Sequence, residues 1–217
     1  MKSPMKMLPA LLALAATAPA CESKKTNAGT ENEPAAANAQ ASAPKRDAKA
    51  EVEHGKFIVS TAGCHDCHTP LTMGPNGPAP DMSRALSGHP ASLQMPPAPQ
   101  LPPGPWLVTV SATNTAWAGP WGVSFTANLT PDKETGLGTW TRQNFVDTLR
   151  NGRHMGAGRP LLPPMPVATF SNFSDDDLGA VFAYLQTIPA VSNKVPTALP
   201  PPAAAAAGGG DSKVSEK

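Results

Sequence analysis

The chain has 217 residues, of which 40% are apolar and 15% are charged. Its 27 prolines and 18 glycines exclude long uninterrupted helices or central strands over much of its length. The formal net charge of +1 excludes the strongly basic surface that is typical of nucleic-acid-binding proteins. Three cysteines are too few for a disulfide scaffold, and no apolar run reaches the roughly 20 residues of a membrane-spanning helix.

The first twenty residues have the pattern of an export signal. Lys2 and Lys6 form a short basic start, residues 8–16 are apolar, and Ala18-Pro19-Ala20 has the small residues of a cleavage site. The sequence therefore predicts that residues 1–20 are a secretory signal peptide.

Cys21 follows this signal directly. A cysteine at the first mature position resembles the lipid-attachment site of bacterial lipoproteins, although Ala18 stands where that family usually has leucine. Acylation would anchor the exported chain to a membrane, because acyl chains partition into the bilayer. The alternative is a free thiol on the processed N-terminus.

The composition divides the rest of the chain into three parts. Residues 22–50 contain no aromatic residue, leucine or isoleucine, so together with Cys21 they are expected to be a disordered tether. Residues 196–217 form a low-complexity tail rich in alanine, proline and glycine. One folded domain is therefore expected at residues 51–195.

Three helices are predicted within this domain. Apolar residues at helical spacing indicate one helix over residues 51–61 and a second over about 141–150. Ser174 is a helix N-cap followed by three aspartates at the positive end of the helix dipole. The third helix starts there, has one apolar face, and ends before Pro189.

Residues 64–68 read Cys-His-Asp-Cys-His, the C-x-x-C-H pattern of covalent haem c attachment. Residues three apart share a face of a helical turn, so Cys64 and Cys67 can each bond to one vinyl group of the same haem. His68 follows at once and can bind the iron as the proximal ligand. The sequence therefore predicts one covalent haem c.

Two other uses of the cysteines agree less well with the sequence. A thioredoxin-like redox pair requires the motif after a strand in a βαβ pattern, which this sequence lacks. A structural zinc site normally shows a second ligand pair at short spacing, and the folded domain has no further cysteine.

The motifs together resemble the class I mono-haem cytochromes c, and more narrowly the periplasmic cytochrome c subunits of bacterial membrane-associated dehydrogenases. The resemblance rests on HGKFIVSTAGCHDCHTP, NLTPDKETGLGTWT, LLPPMP and SDDDLGAVFAYLQTIP, in that order. It implies a mostly α fold in which the first and last helices cross, with Gly55 against Tyr184 or Phe182. It also implies a chain that transfers electrons and catalyses no reaction of its own.

The second iron ligand is predicted to be Met165. It lies between prolines in Leu161-Leu162-Pro163-Pro164-Met165-Pro166, and prolines restrict the backbone of the loop. In the resembling family the distal methionine has this setting. Met155 in a glycine-rich loop is the main alternative, and ligation by a second histidine or an open site are others.

The resemblance also implies a carbonyl group that accepts a hydrogen bond from the second ring nitrogen of His68. The best match to the family's Gly-Pro turn is Gly74-Pro75, with Gly77-Pro78 adjacent. Four side chains are candidates to contact the haem propionates: Asn128, Trp140, Arg153 and Arg159.

A long proline-rich insertion separates this chain from small cytochromes. Residues 75–120 hold eleven prolines and are expected to form mostly extended loop, with a strand or hairpin as an alternative at Trp106–Val110. One interpretation is that the insertion covers one side of the haem and shapes a partner surface. The other is a solvent-facing insertion without a role.

These observations predict a periplasmic c-type cytochrome that carries single electrons, has no nucleic-acid partner and is tethered to a membrane through lipid. Its partners would be a dehydrogenase as donor and an oxidase or another cytochrome as acceptor. The alternatives are a haem subunit within a dehydrogenase complex, a redox or gas sensor with an open iron site, and a peroxidase-like enzyme. The last two need an open distal position, against which the proline-flanked methionine argues.

Overall fold

The computed structural model describes residues 46–201. The predicted signal peptide, Cys21 and most of the predicted tether and tail lie outside these residues. Within residues 46–201, no helix is both long enough and apolar enough to cross a membrane.

The first and last helices form the main packing contact of the domain. Helix α1 spans Ala48–Thr61 and begins at Asp47, whose side chain accepts a hydrogen bond from the Ala50 backbone N–H at 2.8 Å. Helix α5 spans Asp175–Leu185, with Ser174 as its N-cap in a reciprocal capping box. The predicted N-cap Ser174 and the predicted helices at the two ends of the domain are confirmed, with α1 starting three residues earlier than predicted.

Gly55 is the point of closest approach between these two helices. It lies against the backbone of Ala180 and the Cβ atom of Tyr184, and a side chain at position 55 would overlap the Ala180 carbonyl. The contact between Gly55 and Tyr184 that the resemblance implies is therefore present.

Three shorter helices complete the helical part. Helix α2 spans Cys64–His68, helix α3 spans Arg142–Asn151, and helix α4 spans Val167–Phe170. Helix α3 starts at Thr141 in a second capping box and ends at Gly152, whose φ of 62° is the left-handed conformation of a helix C-terminus. Their apolar faces join those of α1 and α5 in one buried cluster: Ile58, Val59, Leu86, Leu137, Phe145, Val146, Leu149, Phe170, Leu178, Val181, Phe182 and Leu185.

The segment between α2 and α3 contains two small antiparallel sheets. Strands β1, Leu71–Gly74, and β2, Gly77–Pro80, form a hairpin with Gly74 opposite Gly77. Strands β3, Thr109–Val110, β4, Ala116–Gly119, and β5, Gly122–Phe125, form a sheet in that order. The strand considered within Trp106–Val110 is thus present in part.

The prediction of a mostly α fold of class I cytochrome c type is wrong. The described residues form five short helices and two antiparallel sheets, and helices cover less than half of them. Prolines in the insertion remove backbone donors, which prevents long helices, whereas tight turns at Gly77 and Gly122, both at positive φ, allow hairpins. The proline-rich insertion, expected to be mostly extended loop, therefore includes strands.

Chain contacts continue past the predicted domain end at residue 195. Leu199 and Val123 exchange two backbone hydrogen bonds of 2.9 Å, so the chain pairs with the free side of β5. We call residues 191–199 the C-terminal strap. Its start is held by Asn193, whose buried amide donates to the carbonyls of Ser87 at 2.7 Å and His89 at 2.9 Å.

Candidate functional site

The Cys-His-Asp-Cys-His motif forms the whole of helix α2. Gly63 precedes it with a φ of 74°, a conformation that side-chain-bearing residues rarely adopt, and this turns the chain from α1 into α2. One turn of helix brings the side chains of Cys64 and Cys67 to the same side, and both line a partly open cavity together with His68.

The cavity has a volume of about 600 Å³, and residues of the buried apolar cluster form much of its wall. Its walls come from α1, α3 and α5, from β5 and the residues after it, from the loop before α4, and from the C-terminal strap. The apolar residues that line it include Val59, Leu129, Leu137, Phe145, Leu149, Phe170, Leu178, Val181 and Leu185. Most of the hydrophobic core therefore faces a space that side chains do not fill.

His68 is held in a fixed orientation at the edge of this cavity. Its Nδ1 donates a hydrogen bond of 2.8 Å to the carbonyl oxygen of Ala127, and its own carbonyl accepts from the Gly88 backbone N–H at 2.8 Å. The expectation that Gly74-Pro75 or the adjacent Gly77-Pro78 supplies this carbonyl is wrong, because Ala127 supplies it and both pairs lie in the β1–β2 hairpin. The Nε2 atom remains available for a ligand in the cavity.

Burial sets the protonation of the three motif side chains. It lowers the pKa of the His68 imidazole, an effect that the bond to Ala127 partly opposes, so the ring is neutral near pH 7. Burial raises the pKa of the Cys64 thiol to about 11 and also raises the pKa of Cys67. Neither thiol is ionised at neutral pH, unlike the low-pKa thiolate of a thiol–disulfide redox pair.

Met165 lines the cavity, and Met155 does not. The Met165 loop is anchored at two points ahead of the methionine. The Leu161 backbone N–H donates to the Gly152 carbonyl at 2.8 Å, and the Ser124 hydroxyl donates to the Pro163 carbonyl at 2.5 Å. Met155 is 44% exposed. Of the two methionines considered, only Met165 shares a cavity with His68.

Three of the four side chains predicted to contact the haem propionates line the cavity. Trp140 and Arg159 line the cavity, whereas Arg153 does not. Asn128 also lines it, but its amide is occupied by hydrogen bonds to Thr130, Thr135 and Val191.

His154 joins this polar wall, with its ring edge-on to Trp140 at a centroid distance of 5.0 Å. The pKa of His154 is lowered, mainly by burial and to a smaller extent by the nearby positive charge of Arg159.

Three contributions to the site are not predictable from the motifs. They are the Ala127 carbonyl, the Ser124 hydroxyl and the strap residues 194–198 that line the cavity. Each reaches the site from a distant part of the chain. The only motif near any of the three is NLTPDKETGLGTWT, which directly follows Ala127. It gives no indication that the Ala127 carbonyl has a role.

The other uses of the motif lack support in the described residues. Both sheets in residues 46–201 are antiparallel, so the βαβ unit of a thioredoxin-like site is not formed there. Among the same residues, no group of three or more His, Cys, Asp or Glu side chains is arranged to hold a metal ion. This disfavours a structural zinc site at Cys64 and Cys67.

Comparison with known proteins places the sequence near cytochrome subunits. No protein-family model matches it. The cytochrome c subunit of alcohol dehydrogenase (quinone) from Gluconobacter oxydans is 27% identical over 151 residues, 68% of this chain and 24% of that protein. The cytochrome c subunit of gluconate 2-dehydrogenase from Pantoea cypripedii is 37% identical over 67 residues, 31% of this chain and 15% of that protein. The cytochrome subunit of fructose dehydrogenase from Gluconobacter japonicus is 33% identical over 72 residues, 33% of this chain and 15% of that protein.

These similarities confirm the resemblance to cytochrome c subunits of dehydrogenases that the motifs indicate. The chain spans about a quarter or less of the length of each of these relatives.

Proposed function

We propose that this chain is a c-type cytochrome that carries single electrons through one covalently bound haem, as the haem subunit of a dehydrogenase complex. Cys64 and Cys67 would attach the haem, and His68 and Met165 would bind its iron. One observation carries the proposal: all four side chains line one apolar cavity, although Met165 is far from the other three in the sequence.

The residues of the cavity fit a haem. Two thiols and an imidazole stand on one short helix, and a thioether lies in the loop that forms another part of the wall. The remaining wall is mostly apolar, as a porphyrin face requires, and Trp140, His154 and Arg159 provide a polar part that suits carboxylate groups. The similarity to cytochrome c subunits supports the same cofactor class.

A haem in this cavity would supply one-electron redox chemistry. The chain's own residues would control its surroundings. The Ala127 carbonyl orients the His68 ring and increases its basicity. The Ser124 and Gly152 hydrogen bonds restrain the Met165 loop, so the thioether is held in place at little entropic cost. The apolar walls would limit the contact of water with the cofactor.

With His68 and Met165 both bound to it, the iron would have no free position for a substrate, so the proposed role is electron transfer and not catalysis. In this proposal a catalytic dehydrogenase subunit donates the electrons, and an oxidase or another cytochrome accepts them. Residues 1–20 would direct export to the periplasm, and a lipid on Cys21 would hold the chain at a membrane. The similarity to dehydrogenase cytochrome subunits supports a redox partner of this class.

The ligand assignment is tested by replacing each methionine in the exported, haem-loaded protein. Met165→Ala is expected to abolish the weak long-wavelength sulfur-to-iron charge-transfer band of the oxidised protein. The reduced variant is expected to bind carbon monoxide, because the distal position is then open.

Met155→Ala is the matched control, since Met155 lies outside the cavity, and it should keep the band and exclude carbon monoxide. Loss of the band in Met155→Ala, or its persistence in Met165→Ala, would contradict the assignment. A mature protein without covalent haem on Cys64 and Cys67, as judged by mass spectrometry, would overturn the proposed function.

A further inference from the structure

One long segment of the domain is free of charged side chains. Residues 85–131 contain no Asp, Glu, Lys or Arg, and charged residues resume on either side at Arg84 and Asp132. The same segment nevertheless exposes large apolar side chains, with Trp106 at 78%, Leu107 at 63% and Val110 at 50%. Leu93, Met95, Leu101 and Val108 of this segment are exposed as well. Isolated exposed apolar residues are ordinary, whereas a concentration of them in one segment marks an interaction surface.

The exposed residues lead into an edge strand. Strand β3 pairs with β4 on one side only, and no other strand in residues 46–201 pairs with it. The Ser111 backbone N–H donates to the Ala116 carbonyl at 2.9 Å, which makes this a hydrogen-bonded pair of the antiparallel ladder. Bonding alternates along such a ladder, so the backbone groups of Val110 point away from β4, toward the open edge.

This edge lacks the usual protection against pairing. Natural edge strands carry lysine, proline or a bulge to prevent association with other strands. Pro105 directly precedes this edge, and Trp106–Val110 itself contains neither a charge nor a proline. We call Trp106–Val110 the β3 edge. It offers unpaired backbone groups beside exposed apolar side chains.

We propose that the β3 edge is a docking surface that binds an uncharged, apolar β-strand of another protein subunit. This inference rests on the proposed function and identifies the partner as the catalytic subunit of the dehydrogenase complex. A strand added to this edge would form backbone hydrogen bonds, and its side chains would cover Trp106, Leu107 and Val110.

The absence of charge decides between possible partners. A transient redox partner is steered by complementary charges, and a charged strand buried here would find no counter-charge in residues 85–131. An anionic lipid surface is recognised by lysine and arginine, which this segment also lacks. The buried centres of stable subunit interfaces, by contrast, are depleted in charge and enriched in tryptophan and methionine.

A second copy of the chain is a poorer fit. Edge-to-edge pairing through Trp106–Val110 alone would bury less than the roughly 1,000 Å² that a specific interface needs. A larger subunit can also cover the exposed residues that precede the edge.

The position of the edge connects it to the cavity. Ser124 and Phe125 of β5 line the cavity, β4 lies beside β5, and β3 lies beside β4. Two strand spacings, roughly 10 Å, therefore separate β3 from the strand that borders the cofactor site. A strand docked on β3 would place the catalytic subunit at a fixed distance from the haem.

Site-specific photo-cross-linking tests this surface. The photoreactive residue p-benzoylphenylalanine replaces Val110 in the full-length chain expressed in its native host, and cross-linked products are identified by mass spectrometry. We expect a cross-link to a dehydrogenase catalytic subunit that reduces the haem of this chain when its substrate is added.

The same residue at Phe57 is the control. Phe57 is 63% exposed, as Leu107 is, but lies on α1 beside charged residues, and no cross-link to that subunit is expected there. Cross-linking from position 110 to a second copy, to lipid or to no partner would overturn the proposal.

Charge insertion gives an independent measurement. Leu107→Lys with Val110→Lys should reduce the amount of catalytic subunit that co-purifies by roughly tenfold or more, because the interface would bury unpaired charges. Phe57→Lys should leave it unchanged. The proposal would be overturned if the double variant and Phe57→Lys co-purified with the same amount of catalytic subunit, whether that amount is normal or reduced.

The absorption spectrum separates this proposal from the proposed function. Variants with a normal haem c spectrum and charge-transfer band are correctly folded, so a missing cross-link in that background overturns the docking surface alone. A chain without haem that still cross-links from position 110 to a catalytic subunit would overturn the proposed function and support the surface.

Discussion

The imidazole of His68 and the backbone of Ala127 are joined by a 2.8 Å hydrogen bond from Nδ1 to the carbonyl oxygen. The carbonyl is held by its neighbour Asn128, a residue only 4% exposed. The Asn128 amide donates to the Val191 carbonyl at 2.8 Å, and its oxygen accepts from the Thr130 backbone N–H at 3.0 Å. The orientation of the proposed proximal ligand thus depends on a buried amide outside the motif.

Asn128→Ala tests this dependence. We expect the free energy of unfolding to fall by about 2 kcal/mol, because buried partners lose their hydrogen bonds. The midpoint potential should rise, since a weaker bond at Nδ1 makes His68 a poorer electron donor to oxidised iron. Denaturant unfolding and voltammetry measure the two effects.

Asn172→Ala is the control for this substitution, because Asn172 is exposed and its side chain bonds only to the Ala168 carbonyl within the described residues. Asn172→Ala should change neither the free energy of unfolding nor the midpoint potential by much. An unchanged potential in Asn128→Ala would show that the Ala127 contact does not tune His68.

The C-terminal strap makes a second contribution to the site. Residues 194–198 line the cavity, and Leu199 pairs with Val123 to hold them there. A chain that ends after Asn193 should have a lower midpoint potential than one that ends after Pro201. Water that enters the opened cavity stabilises the more charged oxidised haem. Potentials of the two truncated proteins, measured side by side, check this, and equal values would contradict it.

The helix crossing at Gly55 is expected to be the most sensitive point in the fold. Gly55→Ala places a Cβ atom into the Ala180 carbonyl, so α1 and α5 must separate. We expect a loss of about 3 kcal/mol in the free energy of unfolding, at the upper end for overpacking. Gly104→Ala is the control, because its Cβ would approach only the Pro102 carbonyl, at 3.8 Å. Similar denaturation midpoints for the two variants would show that the crossing can adjust.

A hydrogen-bonded pair of titratable side chains, His54 and Asp177, also joins α1 and α5. Asp177 Oδ1 lies 2.6 Å from His54 Nε2 and 3.8 Å from the Arg46 guanidinium, and Asp177 Oδ2 accepts a 2.7 Å bond from the Ser174 hydroxyl. Partial burial acts to raise the pKa of Asp177, but the hydrogen bonds from His54 and Ser174 outweigh it and the pKa is lowered.

A carboxyl group whose pKa is lower in the folded state stabilises the fold above its unfolded pKa of about 3.9. That stability is lost as the pH falls from there through the folded pKa. Asp177→Asn should therefore reduce stability by roughly 0.5–1 kcal/mol at pH 7 and by much less near pH 3.

Denaturant unfolding at several pH values measures this difference. Asp176→Asn is the matched control, because Asp176 is more exposed and its nearest ion-pair partner, Arg142, is 3.9 Å away. If the two substitutions have the same pH dependence, the link between His54 and Asp177 contributes nothing.

The sequence alone determined the features that depend on neighbouring residues. The capping residues Thr141 and Ser174 begin helices because their side chains bond to backbone groups three residues ahead. The spacing of Cys64, Cys67 and His68 places them on one helical turn for the same local reason. Hydrophobic periodicity also predicted α1, α3 and α5, because each buries one face.

Only the tertiary structure decided which distant groups meet. The Ala127 carbonyl, the Ser124 hydroxyl and the strap reach the cavity through backbone pairing and packing between remote segments. Any backbone carbonyl can accept a bond from His68, so residue types carry no signal for the one that does. The sheets that overturned the mostly α prediction have the same origin, since a strand is stable only when a partner strand lies beside it.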